Sequence, residues 1–165
     1  MEFEMRKSTD KDYEQIKALL KESFGDMAEH CGALDWVDNR YMVAVVNNQI
    51  VACTGILPLH KSDFNGYEIT WTCTTKEFRH NGLIVKMLDA CERELKDSKP
   101  IYCSCWHLTN KDKANLHNAL TQLGFEEVIH SHVVRVHPHI DMCNYCCYSS
   151  AGCKCTGDLY QKNRA

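Results

Sequence analysis

The chain of 165 residues is 44% apolar and 25% charged, which suits one compact domain and excludes extensive disorder. Its formal charge of −3 argues against a general nucleic-acid binder, because such proteins are usually basic. No apolar run approaches the roughly 18 residues of a membrane span, and the first residues lack the pattern of a secretion signal. We therefore expect a cytoplasmic protein that binds neither nucleic acid nor membrane.

The first half of the chain predicts strands, a capped helix and a hairpin. Thr9-Asp10-Lys11-Asp12 resembles a capping box, and apolar side chains then recur at helical spacing up to Gly25, a typical C-cap. Asn47-Asn48 is a typical hairpin turn pair. The predicted elements are a strand at 3–7, a helix at 13–24, a short helix within 28–36, and strands at 41–46, 49–57 and 67–75.

The second half predicts a helix after Gly82 and a further helix between strands. Apolar residues recur on one face of the first of these helices, and Gly124 ends the second. The elements are a strand at 101–106, a helix at 113–123 and strand-like residues at 125–136, as one strand or a hairpin. Antiparallel neighbours come first and one parallel crossover follows. We therefore expect an α/β (α+β) fold with a mixed, mostly antiparallel sheet and helices on both faces.

A short polar loop, residues 76–82, joins the strand at 67–75 directly to the following helix. A strand, a glycine-containing turn and a helix N-terminus together form an anion site, because free backbone N–H groups and the positive end of the helix dipole converge there. Lys76, Arg79 and His80 either add positive charge to this site or are solvated loop residues. The loop therefore predicts a phosphate-bearing ligand.

The order of elements, with a phosphate loop after the fourth strand, resembles the GNAT (general-control-related N-acetyltransferase) superfamily over residues 3–137. The loop signature of that family is a basic residue or glutamine, two variable residues, glycine, one residue, then glycine or alanine. Here it corresponds to residues 79–84, Arg-His-Asn-Gly-Leu-Ile, with Ile84 departing from the pattern. Residues 123–128, Leu-Gly-Phe-Glu-Glu-Val, resemble the family's helix-to-strand corner.

The resemblance implies that acetyl-CoA binds to the chain as a cosubstrate. The pantetheine arm would pair with the exposed edge of the fourth strand, and the pyrophosphate would lie on the loop amides. Asn115 would reach the pantetheine from the next helix. The implied binding residues are Cys73, Thr74, Thr75, Arg79, His80, Asn81, Gly82, Leu83, Ile84 and Asn115.

Acyl transfer to an amine requires a base for the amine, a donor that polarises the carbonyl and an acid for the leaving thiolate. Glu68 matches the place where the histone-acetylating branch of the family carries its base; the alternative is a solvated glutamate at a strand start. The family's usual acid is a tyrosine at a position where this chain has Leu120. His117, Tyr102 and His107 are the candidate substitutes, each with a structural alternative.

The acceptor pocket is expected at the first two helices and the end of the third strand. This region is acidic with some aromatic surface, which suits a cationic amine, although charge on a helix is often only its solvated face. The residues concerned are Asp26, Glu29, His30, Asp35, Trp36 and Asp38.

Eleven cysteines are many for a cytoplasmic chain. Six are scattered through segments expected to be buried, where cysteine acts as a small hydrophobic residue. The other five crowd the tail at 138–165, which we expect to fold onto the domain at 1–137. There a Cys-x-x-Cys pair faces a Cys-x-Cys pair, so the tail is a zinc site, a free-thiol segment or a set of redox-labile disulfides. The candidate zinc ligands are Cys143, Cys146, Cys153 and Cys155, with Cys147 or His139 as alternates.

Together these features predict an N-acetyltransferase. It would move the acetyl group of acetyl-CoA to the primary amine of a small molecule or peptide, by direct attack in a ternary complex, as a monomer or homodimer. A covalent acyl-enzyme at Cys103 or Cys105 is less favoured, because no Cys/His pair is evident. The alternative is a non-catalytic acyl-CoA-binding protein whose cysteine tail senses metal or redox state.

Overall fold

The computed structural model describes residues 3–35, 37, 40–60, 64–107, 115–131 and 156–164. They form a seven-stranded sheet in the order β1-β2-β3-β4-β5-β7-β6, antiparallel throughout except for the parallel pair β4 and β5. The strands are β1 (Glu4–Lys7), β2 (Tyr41–Val46), β3 (Gln49–His60), β4 (Asn65–Thr74), β5 (Ile101–His107), β6 (Glu126–Ser131) and β7 (Thr156–Lys162). The predicted fold class is confirmed.

Four α-helices cover the two faces of the sheet: α1 (Tyr13–Phe24), α2 (Met27–His30), α3 (Leu83–Glu94) and α4 (His117–Gln122). On one face, here called the α1 face, Ile16 and Leu20 pack with Val43 and Cys53. On the other, the α3 face, helices α3 and α4 pack against β4, β5 and β7. Within the described residues, no helix has the length and apolar character needed to cross a membrane.

The local signals in the first half of the chain are confirmed. Asp12 accepts a hydrogen bond of 2.8 Å from the Thr9 backbone N–H and completes the capping box. The Gly25 N–H donates to the Lys21 carbonyl at 2.9 Å, and its φ of 64° is in the left-handed region that favours glycine. Asn47-Asn48 also has positive φ at both positions, as a two-residue hairpin turn requires.

Strand β7 was absent from the sequence-based prediction. It lies between β5 and β6 and pairs antiparallel with both, so that Tyr160 stands opposite Cys103 on one side and Glu127 on the other. The sheet therefore draws on both predicted regions, 1–137 and 138–165. Of the predicted strand at 125–136, residues 126–131 form β6 and 132–136 lie outside the described residues.

The end of β7 and the residues after it hold the C-terminal end of α3. Arg164 Nη2 donates to the carbonyls of Leu95 at 2.8 Å and of Glu92 at 3.3 Å, and the Glu92 carbonyl also accepts the Leu95 N–H at 3.2 Å. Lys162 Nζ adds an ion pair of 2.6 Å with the Glu92 carboxylate. The end of the chain thereby fixes the helix whose opposite end forms the predicted phosphate loop.

Candidate active site

Strands β4 and β5 separate part of the way along their length. Their parallel ladder consists of three pairs, and the last joins Ile69 to Cys103. Strand β4 continues to Thr74 and β5 to His107, so a wedge opens between them beyond this pair. The edge of β4 along the wedge is the kind of surface to which an extended arm can hydrogen-bond as an added strand.

A β-bulge in β4 coincides with this separation. The register against β3 shifts between Cys53 and Gly55, and Trp71 adopts a φ of 52°, which is rare for a large side chain. Trp71 packs edge-on against Phe24 of α1, with ring centroids 5.3 Å apart. A bulge bends its strand, so the bulge at Trp71 gives a physical reason why β4 leaves β5 here.

Two hydroxyl groups at the far end of β4 are buried and make no hydrogen bond to any residue that the structure describes. Thr74 Oγ1 and Thr75 Oγ1 have no hydrogen bond within the described part of the chain. Leaving a buried hydroxyl unpaired is costly, so such atoms in a native protein are often completed by a ligand. Both residues belong to the edge predicted to hold the pantetheine arm, and a polar arm in the wedge fits this need. Cys73, the third predicted edge residue, is buried on the α1 face with its Sγ 3.5 Å from Cys53 Sγ.

The phosphate loop ends at a well-formed helix start. Gly82 precedes α3 with a φ of 76°, and Asn81 Oδ1 accepts the Leu83 N–H at 3.1 Å. The first intrahelical bond runs from the Lys86 N–H to the Gly82 carbonyl at 3.2 Å. The amides before Lys86 therefore have no acceptor inside the helix, and the Ile84 N–H remains a candidate donor to an anion.

Arg79, earlier in the same loop, uses two of its donor groups within the protein. The Arg79 N–H donates to the Lys76 carbonyl at 3.3 Å, and its Nε donates to the Thr74 carbonyl at 3.2 Å. His80 is exposed and has a φ of 62°. Arg79 thus ties the loop to the end of β4, while its guanidinium keeps positive charge beside the helix N-terminus.

Glu68 and Tyr102 form the middle pair of the β4–β5 ladder, one pair before the strands separate. Directly paired residues project on the same face of a sheet, so these two candidates lie side by side. Glu68 is only 3% exposed and Tyr102 6%, and the Tyr102 ring packs edge-on against Phe64 at 5.3 Å. The alternative of a solvated glutamate is therefore wrong.

His117 lies on the opposite face of the sheet, at the first position of α4. Its Nδ1 is 2.8 Å from Tyr160 Oη on β7. Leu120, at the position where the resemblance implies a tyrosine, is fully buried in the same core cluster as Tyr160. The sequence proposed His117 as a candidate but not its hydrogen-bond partner Tyr160, because the tyrosine follows the cysteine-rich segment in an unpredicted strand.

The thiols of β5 are poorly suited to covalent catalysis. Cys103 Sγ and Cys105 Sγ lie 3.7 Å apart and are buried. The hydrogen bond from Cys105, burial and the nearby Glu68 carboxylate all raise the pKa of the Cys103 thiol well above its usual range. A thiol that stays protonated is a weak nucleophile, which supports direct attack over an acyl-enzyme.

The remaining predicted binding and metal residues are either exposed or outside the described ranges. Asn115 is exposed just before α4. No cluster of three or more His, Cys, Asp or Glu side chains that could hold a metal occurs in the described ranges. The four candidate zinc ligands, Cys143, Cys146, Cys153 and Cys155, and the alternates Cys147 and His139 lie outside those ranges.

The acidic surface near α1 and α2 is partly neutralised. Asp26 forms an ion pair of 3.4 Å with Lys21, and Glu29 one of 3.5 Å with Lys17. Trp36 and Asp38 lie outside the described residues. Because both pairs are exposed and salt-screened, they reduce the negative charge offered to an acceptor without contributing much stability.

A split β4–β5 pair beside a glycine-started helix defines an acyl-CoA-binding fold, and comparison with known proteins agrees. The Acetyltransferase (GNAT) domain family matches residues 4–105. The chain belongs to the GNAT family of acetyltransferases. A comparison with curated protein sequences finds no significant match.

Solved structures share the fold at low sequence identity. A GNAT-family acetyltransferase from Bacillus cereus superimposes with a TM-score of 0.70 at 11% identity, covering 100% of this chain and 99% of that one. Arabidopsis thaliana Naa50, in complex with the bisubstrate analogue CoA-Ac-MVNAL, gives 0.64 at 15% identity, with 99% of each chain covered. N-acetylglutamate synthase from Neisseria gonorrhoeae, with coenzyme A and N-acetyl-glutamate, gives 0.62 at 13% identity over 100% of this chain and 36% of that one.

Proposed function

We propose that this GNAT domain transfers the acetyl group of acetyl-CoA to a primary amine by direct attack in a ternary complex. The observation that carries the proposal is the buried pair of Glu68 and Tyr102 at the last rungs of the β4–β5 ladder, where the strands begin to separate. A carboxylate and a phenol held side by side at the mouth of a cleft are suitable for proton transfer to and from a reacting amine.

Acetyl-CoA, when bound, supplies a thioester that an amine nitrogen can attack. The chain would hold its pantetheine arm along the β4 edge, where the buried hydroxyls of Thr74 and Thr75 have no partner among the described residues. The helix start at Gly82 would hold the pyrophosphate. Glu68 would accept the proton that the amine loses, directly or through a water molecule, while β4 backbone N–H groups polarise the carbonyl.

The acceptor is proposed to be a small amine or the amino group of a peptide. Two of the structural relatives were solved with ligands of this kind, a peptide-bearing bisubstrate analogue in Naa50 and N-acetyl-glutamate in the synthase. The ion pairs made by Asp26 and Glu29 neutralise part of the neighbouring acidic surface. Amino acids and peptides therefore deserve equal weight with polyamines in an acceptor screen.

The test is thiol release from acetyl-CoA with a panel of amino acids, peptides, polyamines and aminoglycosides. Glu68→Gln should lower kcat by about 10²–10⁴-fold, the usual contribution of a general base, with little change in acetyl-CoA affinity. The matched control is Glu126→Gln, because Glu126 is exposed on β6. Full activity of Glu68→Gln would remove the glutamate from the mechanism.

A non-catalytic acyl-CoA-binding protein is the rival function, and one observation favours it. Leu120 fills the position of the family's usual acid with a buried apolar side chain. Tight acetyl-CoA binding without thiol release across the panel would support the rival.

Zinc in the cysteine-rich tail is a further proposal, and elemental analysis of protein purified under reducing conditions should find about one equivalent of metal if four thiolates bind it.

A further inference from the structure

Ser104 carries a buried hydroxyl group on β5, close to the point where β4 and β5 separate. Its Oγ is shielded from solvent and makes no hydrogen bond to any residue that the structure describes. A serine hydroxyl offers one donor and two acceptor sites, and leaving them unpaired in a buried position costs free energy. Such groups are uncommon in native proteins, and a role in binding or catalysis is one established reason for them.

The register of the sheet places Ser104 at the mouth of the wedge. The last pair of the parallel ladder joins Ile69 to Cys103, and Ser104 is the next residue of β5. Its backbone is therefore beyond the described ladder with β4, whereas on the other side it remains paired with Leu159 of β7. Strand β5 is thus held by β7 on one side at Ser104 and separates from β4 on the other.

Ser104 projects from the same face of the sheet as Glu68 and Tyr102. Side chains alternate along a strand, so Ser104 shares the face of Tyr102 and not that of Cys103. Leu159, directly opposite Ser104, belongs to one buried cluster with Tyr102, which agrees with this assignment. A carboxylate, a phenol and a hydroxyl therefore lie on one face at the place where the two strands separate.

The spacing within this group leaves room for a reacting nitrogen. Ser104 is two residues beyond Tyr102, a rise of about 6.6 Å along the strand. Diagonal neighbours in a sheet lie about 7–8 Å apart, so the Glu68 carboxylate and the Ser104 hydroxyl can both reach an atom between them. Both groups are shielded from bulk solvent, which strengthens any hydrogen bond that such an atom makes to them.

Ser104 differs in position from the other buried hydroxyls that lack a described partner. Thr74 and Thr75 are at the far end of β4, on the edge proposed for the pantetheine arm, and Ser23 is on α1. Of these four hydroxyls in the described part of the chain, that of Ser104 is on β5, next to the proposed base. Its place therefore suits a contact with the acceptor and not with the pantetheine arm.

We propose that Ser104 Oγ accepts a hydrogen bond from the attacking amine and thereby orients the nitrogen lone pair toward the thioester carbonyl. This inference rests on the proposed acetyl transfer and adds a residue that contacts the acceptor. Holding a nucleophile in the geometry of attack is a recognised source of rate enhancement.

The bonds of a neutral primary amine match this arrangement. One N–H donates to Glu68, which takes that proton, and the second N–H donates to Ser104. The lone pair then forms the C–N bond as the C–S bond breaks. The departing thiolate takes a proton from solvent and Glu68 returns one to solvent, so one amine and one thioester give one amide and one thiol. Ser104 exchanges no proton, and a secondary amine, which has a single N–H, cannot donate to both residues.

The first test compares Ser104→Ala with Ser8→Ala. Ser8 is a buried serine with partners, because its hydroxyl accepts the Tyr41 N–H at 3.2 Å and donates to the Val37 carbonyl. Ser104→Ala should lower kcat/KM for the fastest amine of the acceptor panel by about tenfold, leave the Kd of coenzyme A within about twofold, and keep or raise the melting temperature. Ser8→Ala should do the opposite, with a lower melting temperature and kcat/KM within about twofold. Unchanged kcat/KM in Ser104→Ala would overturn the proposal.

The second test separates hydrogen bonding from packing. Ser104→Cys keeps nearly the same volume but offers a weak acceptor, so it should lose activity as Ser104→Ala does. The N-methyl derivative of the same amine should react more slowly than the primary amine with the unmodified protein, and this preference should shrink by about tenfold in Ser104→Ala. Full activity of Ser104→Cys, or an equal preference in both proteins, would show that Ser104 does not contact the amine.

The outcomes separate the two proposals. Absence of thiol release by the unmodified protein with every acceptor of the panel would refute acetyl transfer and, with it, the contact made by Ser104. Thiol release that Ser104→Ala leaves unchanged would refute only the role of Ser104. Thiol release that falls in Ser104→Ala and Ser104→Cys, with coenzyme A affinity and melting temperature maintained, is the expected result.

Discussion

Replacing Arg164 with alanine should destabilise the protein by about 3 kcal/mol, because the guanidinium satisfies carbonyls at the end of α3. Its bond to Leu95 O is 2.8 Å long and its bond to Glu92 O is 3.3 Å. A good hydrogen bond from a charged donor contributes about 1.5–3 kcal/mol, and a cation at a helix C-terminus adds about 0.3–1 kcal/mol. The side chain is only 14% exposed, so solvent screening removes little of this.

Urea denaturation followed by circular dichroism would measure the loss. Arg93→Ala is the matched control on the same helix, because Arg93 pairs with Asp89 at 2.6 Å but is 71% exposed, and such pairs contribute less than about 1 kcal/mol. Arg164→Lys keeps the charge without the planar fork and should fall between the two. If Arg164→Ala and Arg93→Ala unfold at the same urea concentration with equal slopes, the capping role assigned to Arg164 is wrong.

Three further perturbations test the fold around the site. Gly82→Ala should cost about 1 kcal/mol of backbone strain and weaken acetyl-CoA binding slightly, because φ is +76° while an added Cβ meets no atom of the described residues within 4 Å; calorimetry with coenzyme A checks this. Leu159→Ala in β7 should cost about 3 kcal/mol, since Leu159 is fully buried, whereas the exposed Asn163→Ala should stay within about 0.5 kcal/mol. The hydrogen bond from Arg6, chiefly, lowers the pKa of Asp12 to about 2. Because the folded value lies below the unfolded one, about 2 kcal/mol of stability is present above roughly pH 4 and lost as the pH falls toward 2; acid titration of Asp12→Asn should lack this component.

Sequence patterns located most elements because their signals are local. The strand predicted at 41–46 matches β2, and Gly25 and Asn47-Asn48 adopt the backbone conformations their types favour. The end of β3 was predicted too early, at Leu57 before Pro58. Pairing with β2 stops at Gly55, so Pro58 lies where β3 is an edge on that side and the missing N–H costs nothing.

The structural features that could not be predicted from sequence depend on contacts between residues that are distant in the chain. In β7, Leu159 and Tyr160 are adjacent and both buried, because each face of the strand is covered, so the segment shows no alternation. The bulge at Trp71 uses a φ that no rule assigns to tryptophan. Glu68 and Tyr102 could each be proposed from sequence, but their position side by side follows only from the parallel register. The loop at Gly82, by contrast, was predictable because strand, glycine and helix are consecutive.

A comparison of two shortened chains would show how far the site depends on the C-terminal strand. A chain ending at residue 155 lacks β7, so β5 and β6 lose the strand that pairs with both of them. His117 also loses its contact with Tyr160, and the C-terminal end of α3 loses its bond from Arg164. A chain ending at Asn163 lacks Arg164 but keeps the strand. The first should fail to bind acetyl-CoA and to unfold cooperatively, whereas the second should bind normally with stability reduced to the level of Arg164→Ala. Normal acetyl-CoA binding by the shorter chain would mean that β4, β5 and the Gly82 loop assemble without β7, and the role assigned to the strand would have to be withdrawn.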